Sequence, residues 1–297
     1  MYKIMMFEGG VYKFNELKEL VEDIGGFILQ ESVMQTETML HMAFPDEEEK
    51  TIRNKIKDLG GKFKELPLAG TEVMVVSPSL GKHHAVNPMC DVAEYLRRQG
   101  AITIVMGLAR GVGKRIAQIT VDEKKIIEEA DAAVFVFGNF TDCIREKAKL
   151  CEQLDVPYLI VGGPPDLEVP HYTGGIGRRT DRLRRAGDIE CLERMTTELA
   201  KQLDERRVEV EEDPLAANPL FVKEMIEMLV PAKAGEELPI TVQLDGLRVI
   251  INEEDLDKIQ DVEIGTRKLS EIATISKSFF RGYLVKIRPE SEVGSIF

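Results

Sequence analysis

Two cysteines and two histidines have residue types and positions that suit metal-ion or electrophile chemistry. Cys90 lies one residue from the start of a predicted helix, and Cys143 lies at the start of another. Backbone N–H groups and the helix dipole at a helix start favour the thiolate, which is the form that ligates a metal or attacks an electrophile. His83 and His84 precede Cys90 closely and suit zinc, iron or nickel. These residues leave two interpretations open: a metal or cluster site, and a pair of inert structural cysteines.

The other two cysteines, Cys151 and Cys191, lie on predicted helix faces beside leucines, and we interpret them as structural. The sequence has no C-x-x-C pair, which argues against a closed zinc site or a ferredoxin-type cluster run. It also has no G-x-S-x-G or H-E-x-x-H motif and no Ser-His-Asp order. The usual kinds of hydrolytic chemistry therefore have no candidate residues.

Basic residues cluster in two loops of an otherwise acidic chain. The loop GLARGVGKR, which contains Lys114 and Arg115, suits an anion cradle before a helix but lacks the Walker A spacing. The stretch GGIGRRTDRLRR places five arginines within eight positions, among them Arg178, Arg179 and Arg182. Such a density predicts an anionic ligand or an acidic partner. The alternatives are a tight glycine turn for the first loop and a solvated face for the second.

The elements that would position these residues form a parallel sheet. Residues 67–206 alternate amphipathic helices with continuous apolar runs, which are typical of strands buried on both faces. This order predicts a central doubly wound, Rossmann-like α/β sheet with right-handed crossovers. The loops at the carboxyl ends of its strands would then bring the cysteine candidates, the histidine pair and the basic loops to one edge of the sheet.

Two smaller parts flank this layer, so the predicted fold class is α/β with α+β additions. Residues 1–66 have the order β-α-β-β-α-β, which predicts a small ferredoxin-like α+β domain. The proline-containing segment 207–239 is predicted to be a linker with one helix. Residues 240–297 are predicted to form a small α+β tail that begins with a hairpin through Asp245 and Gly246.

Composition and charge exclude several classes of protein. The 297 residues carry a formal net charge of −13, which argues against a general nucleic-acid binder, because phosphate contacts need clustered Lys and Arg across a face. Four cysteines are too few for a disulfide scaffold. No apolar run reaches the length of a membrane span, and the amino terminus lacks a signal-peptide pattern. We therefore expect a cytoplasmic protein with reduced thiols and no membrane partner.

Several stretches carry a resemblance that covers nearly the whole chain in order. They are MYKIMMFEGGVYKF, LPLAGTEVMVVSPSLGKHH, NPMCDVAEYLRRQGA, MGLARGVGKRIAQ, FVFGNFTDC, TGGIGR, ITVQLDGLRV and YLVKIRPESEVGSIF. In this combination the sequence resembles the methanogenesis marker protein 7 family of methanogenic archaea.

The resemblance implies a role with methyl-coenzyme M reductase, the terminal enzyme of methane formation. In that role the chain would take part in the ATP-dependent reductive activation of the reductase. This activation drives the nickel of the reductase's tetrapyrrole coenzyme to the lowest oxidation state. The implied partners are other methanogenesis marker proteins, the small C protein of the reductase operon, an ATP-binding-cassette protein and the reductase itself. The cassette protein would hydrolyse ATP, so this chain would be a non-catalytic electron-transfer or assembly subunit.

The resemblance also implies a complex iron–sulfur cluster, related to the cluster precursors of nitrogenase, as the electron path. Such clusters need few protein ligands, so Cys90 or Cys143 with His83 or His84 would suffice. We rank Cys90 and Cys143 first and His84 third. A partner subunit would complete the ligand set, and nearby arginines would offset the negative charge of the cluster.

Two alternatives to the cluster hypothesis come from the basic residues. The first is a metal-free scaffold that bridges partners of the same complex through its arginine-rich loop. The second and weaker one is an independent enzyme that acts on a phosphorylated small molecule through Lys114 and the same loop.

Overall fold

The structure is a computed structural model, and it describes most of the chain in seven segments. These are residues 2–10, 14–33, 37–77, 88–108, 119–176, 186–230 and 240–296. Contacts between Cα atoms divide the chain into two compact units, Met1–Ala69 and Gly70–Phe297. No helix in the described segments combines the length and the hydropathy that crossing a bilayer requires.

The first unit is a four-stranded antiparallel sheet with two helices. Its elements are β1 (Tyr2–Gly10), α1 (Phe14–Asp23), β2 (Phe27–Val33), β3 (Glu37–Pro45), α2 (Glu49–Asp58) and β4 (Lys62–Glu65). The strand order β2-β3-β1-β4 is that of the split βαβ motif, so the ferredoxin-like prediction is confirmed. Alternate residues of β1 and β3, such as Met5, Phe7 and Leu40, pack with Leu17 of α1 and Ile52 of α2 in one core.

The second unit begins with a parallel sheet, as the apolar runs predicted. Its elements are β5 (Glu72–Ser77), α3 (Met89–Arg98), β6 (Ile102–Gly107), α4 (Val121–Glu128), β7 (Ala132–Val136), α5 (Thr141–Cys151), β8 (Tyr158–Val161), β9 (Tyr172–Thr173) and α6 (Ala186–Glu212). The five strands are parallel in the order β6-β5-β7-β8-β9. Every residue of β5 and β7 is buried, which explains why these strands read as continuous apolar runs.

Helices cover both faces of this sheet, which makes it doubly wound. On one face, Met74 and Phe135 share a core with Ile127 of α4 and Ile144 of α5. The alternate residues of the same strands lie on the opposite face, where α3 contacts β5, α6 contacts β8 and β9, and α3 contacts α6. The predicted α/β fold class is confirmed.

Helix α6 is longer than the sequence predicted. The predicted α/β layer ends at residue 206, but the helix continues to Glu212, through the first residues of the predicted linker. Salt bridges three residues apart, Arg207 to Asp204 and Arg206 to Glu209, connect successive turns of this extension.

The rest of the second unit is a helix and an antiparallel sheet. Its elements are α7 (Pro219–Leu229), β10 (Ile240–Gln243), β11 (Gly246–Val249), α8 (Leu256–Gln260), β12 (Glu263–Ile264), β13 (Arg267–Lys268), α9 (Leu269–Ile272), β14 (Ala273–Lys277), β15 (Tyr283–Ile287) and α10 (Glu290–Val293). The main sheet has the order β10-β11-β15-β14, and β12 pairs with β13. Residues of α7 and of this sheet, such as Ile226, Leu247 and Val285, share one core.

The hairpin at the start of this sheet differs from the prediction by one residue. Gln243 pairs with Gly246, so the two loop residues are Leu244 and Asp245 rather than Asp245 and Gly246. Gly246 is already in the strand, where a Cβ would overlap the carbonyl oxygen of Val285 on β15. The glycine therefore permits the close approach of a strand rather than a turn conformation.

Candidate functional site

The carboxyl edge of the parallel sheet has a topological switch point between β5 and β7. From β5 the chain passes through α3 to β6 on one side, and from β7 it passes through α5 to β8 on the other. In open α/β sheets, ligands bind in the crevice at such a point. Cys90 follows β5, and Cys143 follows β7. The structure therefore places the two cysteine candidates after the two strands that flank the switch point.

Both cysteines lie in the first turn of their helices. Cys90 is the second residue of α3 and is exposed, and Cys143 is the third residue of α5 and is half-buried. The helices begin slightly earlier than predicted, at Met89 and Thr141, with Pro88 and Phe140 at the N-cap positions. Because α3 and α5 lie on opposite faces of the sheet, the two cysteines belong to helices on different faces.

The other predicted site residues lie outside the segments that the structure describes. They are His83, His84, Lys114, Arg115, Arg178, Arg179 and Arg182. Within the described segments, no three His, Cys, Asp or Glu side chains are grouped so that they could hold a metal ion. The donor chemistry of the described edge is that of two separate thiols, and thiolate sulfur suits iron–sulfur clusters. A cluster at this edge would therefore need ligands beyond Cys90 and Cys143.

Of the remaining two cysteines, Cys151 has the structural surroundings that we predicted, whereas the structural role of Cys191 stays a prediction. Cys151 is 1% exposed in the core between the sheet and α5, and burial raises the pKa of its thiol to about 12. A thiol in that state is neither a nucleophile nor a ready metal ligand. Cys191 of α6 lies against Gly175, which has a φ of +91°, and its Sγ is 3.3 Å from Nη2 of Arg194.

A groove of about 770 Å³ between the β9 segment and α6 was not predicted from the sequence. It contains His171, whose φ of +52° is unusual for a residue other than glycine and whose ring lies edge-on to Tyr158. Among the lining residues that the structure describes, the charged side chains are mostly carboxylates: Asp166, Glu190, Glu193 and Glu198, together with Arg194. The described part of the groove is therefore predominantly acidic.

A buried ionic cluster at the opposite, amino edge of the sheet was also missed. Arg248 of β11 donates from Nε and Nη2 to the carboxylate of Glu72, at 2.9 and 2.8 Å, and from Nη1 to Glu129 at 3.0 Å. The three side chains are 3%, 1% and 6% exposed. Gln243 of β10 donates to Glu72 and to the backbone carbonyl of Glu129, at 2.7 Å each. This cluster joins the antiparallel sheet to the parallel one.

Asp131 completes the same junction. Its carboxylate accepts backbone N–H bonds from Glu72 at 2.7 Å and from Leu244 at 2.9 Å, so it connects β5 with the β10–β11 loop. Burial raises the pKa of Asp131 to about 7 and outweighs the opposing effects of Lys286 and of the two N–H donors.

Comparisons with known proteins find a similar protein of nearly the same length. It is 45% identical to uncharacterized protein MJ0094 of Methanocaldococcus jannaschii, over 99% of this chain and 96% of that protein. Two solved structures are similar over part of their length, but their TM-scores are too low to indicate a shared fold. A formyltetrahydrofolate deformylase from Pseudomonas putida is 10% identical, covers 54% of this chain and 67% of its own and has a TM-score of 0.19. A glutamyl-tRNA reductase from Methanopyrus kandleri is 12% identical, covers 77% and 83%, and has a TM-score of 0.18.

A family model described as methyl-coenzyme M reductase operon protein C matches residues 2–262. This match extends over both compact units and supports the methyl-coenzyme M reductase context that the resemblance implied. It does not test the narrower identification as marker protein 7, which stays a prediction. With most of its length matched, the chain belongs to the methyl-coenzyme M reductase operon protein C family.

Proposed function

We propose that this protein is a subunit of the ATP-dependent complex that reductively activates methyl-coenzyme M reductase. In that complex it helps to bind a complex iron–sulfur cluster and to pass low-potential electrons to the nickel tetrapyrrole. The observation that carries the proposal is the placement of Cys90 and Cys143 in the first turns of α3 and α5, after the two strands that flank the switch point. Membership in the operon-protein family supports a role in the methyl-coenzyme M reductase system.

The residues of this chain would bind and orient the cluster rather than carry out a bond-forming step. Cys90 and Cys143 would supply thiolate ligands, with His84 and His83 as further candidates and the remaining ligands from a partner. When bound, the cluster would supply one-electron transfer at low potential. Backbone N–H groups at the two helix starts and the basic residues Lys114, Arg115, Arg178, Arg179 and Arg182 would offset its negative charge.

Other subunits would perform the remaining steps. An ATP-binding-cassette protein would hydrolyse ATP, in agreement with the missing Walker A spacing in this chain. Other methanogenesis marker proteins and the small C protein of the reductase operon would complete the complex. Because this chain belongs to the family named after that C protein, two partners of the complex would be related to each other.

The test is the iron content of the complex, isolated without oxygen through a tag on this chain. We expect Cys90→Ala and Cys143→Ala to lose most of the iron and the EPR signal of the cluster. Cys191→Ala is the matched control, because Cys191, like Cys143, is a half-buried helical cysteine, but it lies against Gly175, away from the switch point. The ligand assignment is wrong if both variants keep full iron and full activating activity.

The alternative function is a metal-free scaffold, favoured by the five arginines between positions 178 and 185. In that case reversal of charge at Arg178, Arg179 and Arg182 would abolish assembly of the complex, whereas both cysteine variants would remain active. The same purification distinguishes the two functions, because it reports subunit composition and iron content together.

A further inference from the structure

The turn between β14 and β15, residues 278–282, carries two exposed aromatic side chains. Phe279 is 55% exposed and Phe280 is 48% exposed. Turns between antiparallel strands are usually built from Gly, Asn, Asp, Ser and Pro, because these residues suit the backbone of the turn and stay solvated. Two adjacent phenyl rings at such a position therefore need an explanation.

The turn is held through its backbone, and the ring centroid of Phe280 also lies 5.7 Å from Cζ of the buried Arg248. The backbone N–H of Phe279 donates to Oε1 of Glu129 at 2.6 Å, and those of Phe280 and Arg281 donate to Oγ of Ser278 at 3.0 and 2.9 Å. Ser278 donates in turn to Oε2 of Glu129 at 2.7 Å. Gly282, with a φ of +70°, closes the turn against β11. The turn is thus anchored through its backbone to the buried ionic cluster, and the aromatic pair is presented on a rigid support.

One cation lies over a ring of the pair, and a second cationic residue follows the pair in the sequence of the turn. The Nζ of Lys125 lies 4.6 Å from the ring centroid of Phe279, and Arg281 is the next exposed residue of the turn. Neither cation forms a salt bridge to a carboxylate of the described segments, in a chain whose net charge is −13. The surface formed by Phe279, Phe280, Lys125 and Arg281 is therefore both apolar and positively charged. We call it the aromatic turn.

We infer that the aromatic turn is a docking site for a partner protein that offers an apolar pocket rimmed by carboxylates. Aromatic side chains on a pre-organised support lose little entropy on binding and dominate the energy of many protein interfaces. We expect negative charge around the partner's pocket, because the two cations of the aromatic turn have no salt bridge within the described segments. A lipid surface fits less well, because membrane binding by so few side chains would need a larger apolar area or a second anchor.

The proposal does not depend on the iron–sulfur function. The aromatic turn is held by Glu129 at the amino edge of the parallel sheet, whereas Cys90 and Cys143 lie at the carboxyl edge. Loss of docking and loss of the cluster are therefore separable by experiment.

The first experiment is photo-crosslinking in the full chain. A benzoyl-phenylalanine at position 279 is compared with one at position 208, where Val208 of α6 is 52% exposed but is not part of an aromatic pair. Both proteins are mixed with purified methyl-coenzyme M reductase and with the purified proteins of the activating complex. We expect a crosslink from position 279 to a peptide of one of these proteins that is rich in Asp and Glu, and none from position 208.

The second experiment measures affinity for the crosslinked protein. We expect Phe279→Ala combined with Lys125→Glu to weaken binding at least tenfold, with an unchanged unfolding midpoint and unchanged iron content, and Val208→Ala to have no effect. Crosslinks only to a second copy of this chain, retention on anionic lipid vesicles without protein crosslinks, or an unchanged affinity would each overturn the proposal.

Discussion

At the scale of single residues, Arg248 is the buried cation that joins the antiparallel sheet to the parallel sheet. Its guanidinium satisfies two buried carboxylates, and its Nη1 also donates to Ser278 at 2.6 Å. Replacing every charged residue of such a buried cluster by apolar residues often changes the stability of a protein little. Replacing only one of them is costly, because its partner remains buried as an unpaired charge. The structure therefore makes a clear prediction for the arginine alone.

We expect Arg248→Met to lower the free energy of unfolding by about 3–5 kcal/mol, because Glu72 and Glu129 lose their cation while remaining buried. The control is Arg206→Met, since Arg206 of α6 is 49% exposed and pairs with Glu209 at the surface. That change should cost less than about 1 kcal/mol. Urea unfolding followed by circular dichroism measures both, and equal effects would show that the cluster does not act as described.

The role of a residue could be predicted from the sequence where that role depends on residues nearby in the chain. The cysteines could be ranked because a helix start and the strand that precedes it are local features, and the structure places Cys90 and Cys143 in the first turns of helices that follow strands. Arg248 could not be identified in this way. Its partners Glu72 and Glu129 are 176 and 119 positions away, and nothing in its own segment distinguishes it from a surface arginine.

At the scale of elements, the hydrophobic pattern predicted the parallel strands well and the loops between β-strands less well. A continuous apolar run is typical of a strand that is buried on both faces, and every residue of β5 and β7 is buried in this way. The hairpin loop was placed one residue too late, because Asp-Gly is a common turn pair and the pattern cannot show that Gly246 is required by β15 instead.

We expect Gly246→Ala to destabilise the protein by about 1–3 kcal/mol, the usual cost of forcing an extra methyl group into a packed site. A Cβ at this position meets the backbone of Val285, which cannot move without disturbing the β11–β15 pairing. Gly187→Ala is the matched control, because Gly187 lies in α6 with open space around it. Alanine there should be neutral or stabilising by about 0.5–1 kcal/mol. A neutral Gly246→Ala in thermal unfolding would contradict the close approach.

At the scale of the whole molecule, the second compact unit unites parts that the sequence suggested were separate. The segment after residue 206 was predicted to contain a linker and a tail, yet the contacts keep Gly70–Phe297 in one unit. Arg248, Gln243 and the N–H of Leu244 join the antiparallel sheet to Glu72, Glu129 and Asp131 at the amino edge of the parallel sheet. Cohesion of this unit therefore depends on the hydrogen bonds that its buried carboxyl groups accept.

The pH dependence of stability tests this junction. The pKa of Asp131 is raised by burial from 3.8 to about 7, so between these values the folded protein keeps a proton that the unfolded chain has released. The resulting stabilisation is full below about pH 4 and is lost as the pH rises through 7. We expect the free energy of unfolding of the wild type, relative to Asp131→Asn, to fall across this window and to level off above it. Urea unfolding at a series of pH values measures the difference, and a flat difference would mean that Asp131 is ionised throughout.

Four features could be predicted from the amino-acid sequence alone: the α/β class, the ferredoxin-like first unit, the position of both cysteine candidates at helix starts and the methyl-coenzyme M reductase context. These are local properties, because hydrophobic periods, helix starts and family motifs are all read from neighbouring residues. Three other features were found only in the folded structure. They are the strand order that places β5 and β7 at the switch point, the buried cluster around Arg248 and the support of the aromatic turn. Each of these depends on contacts between residues that are far apart in the chain. The sequence of one segment does not show which distant residues it will contact after folding.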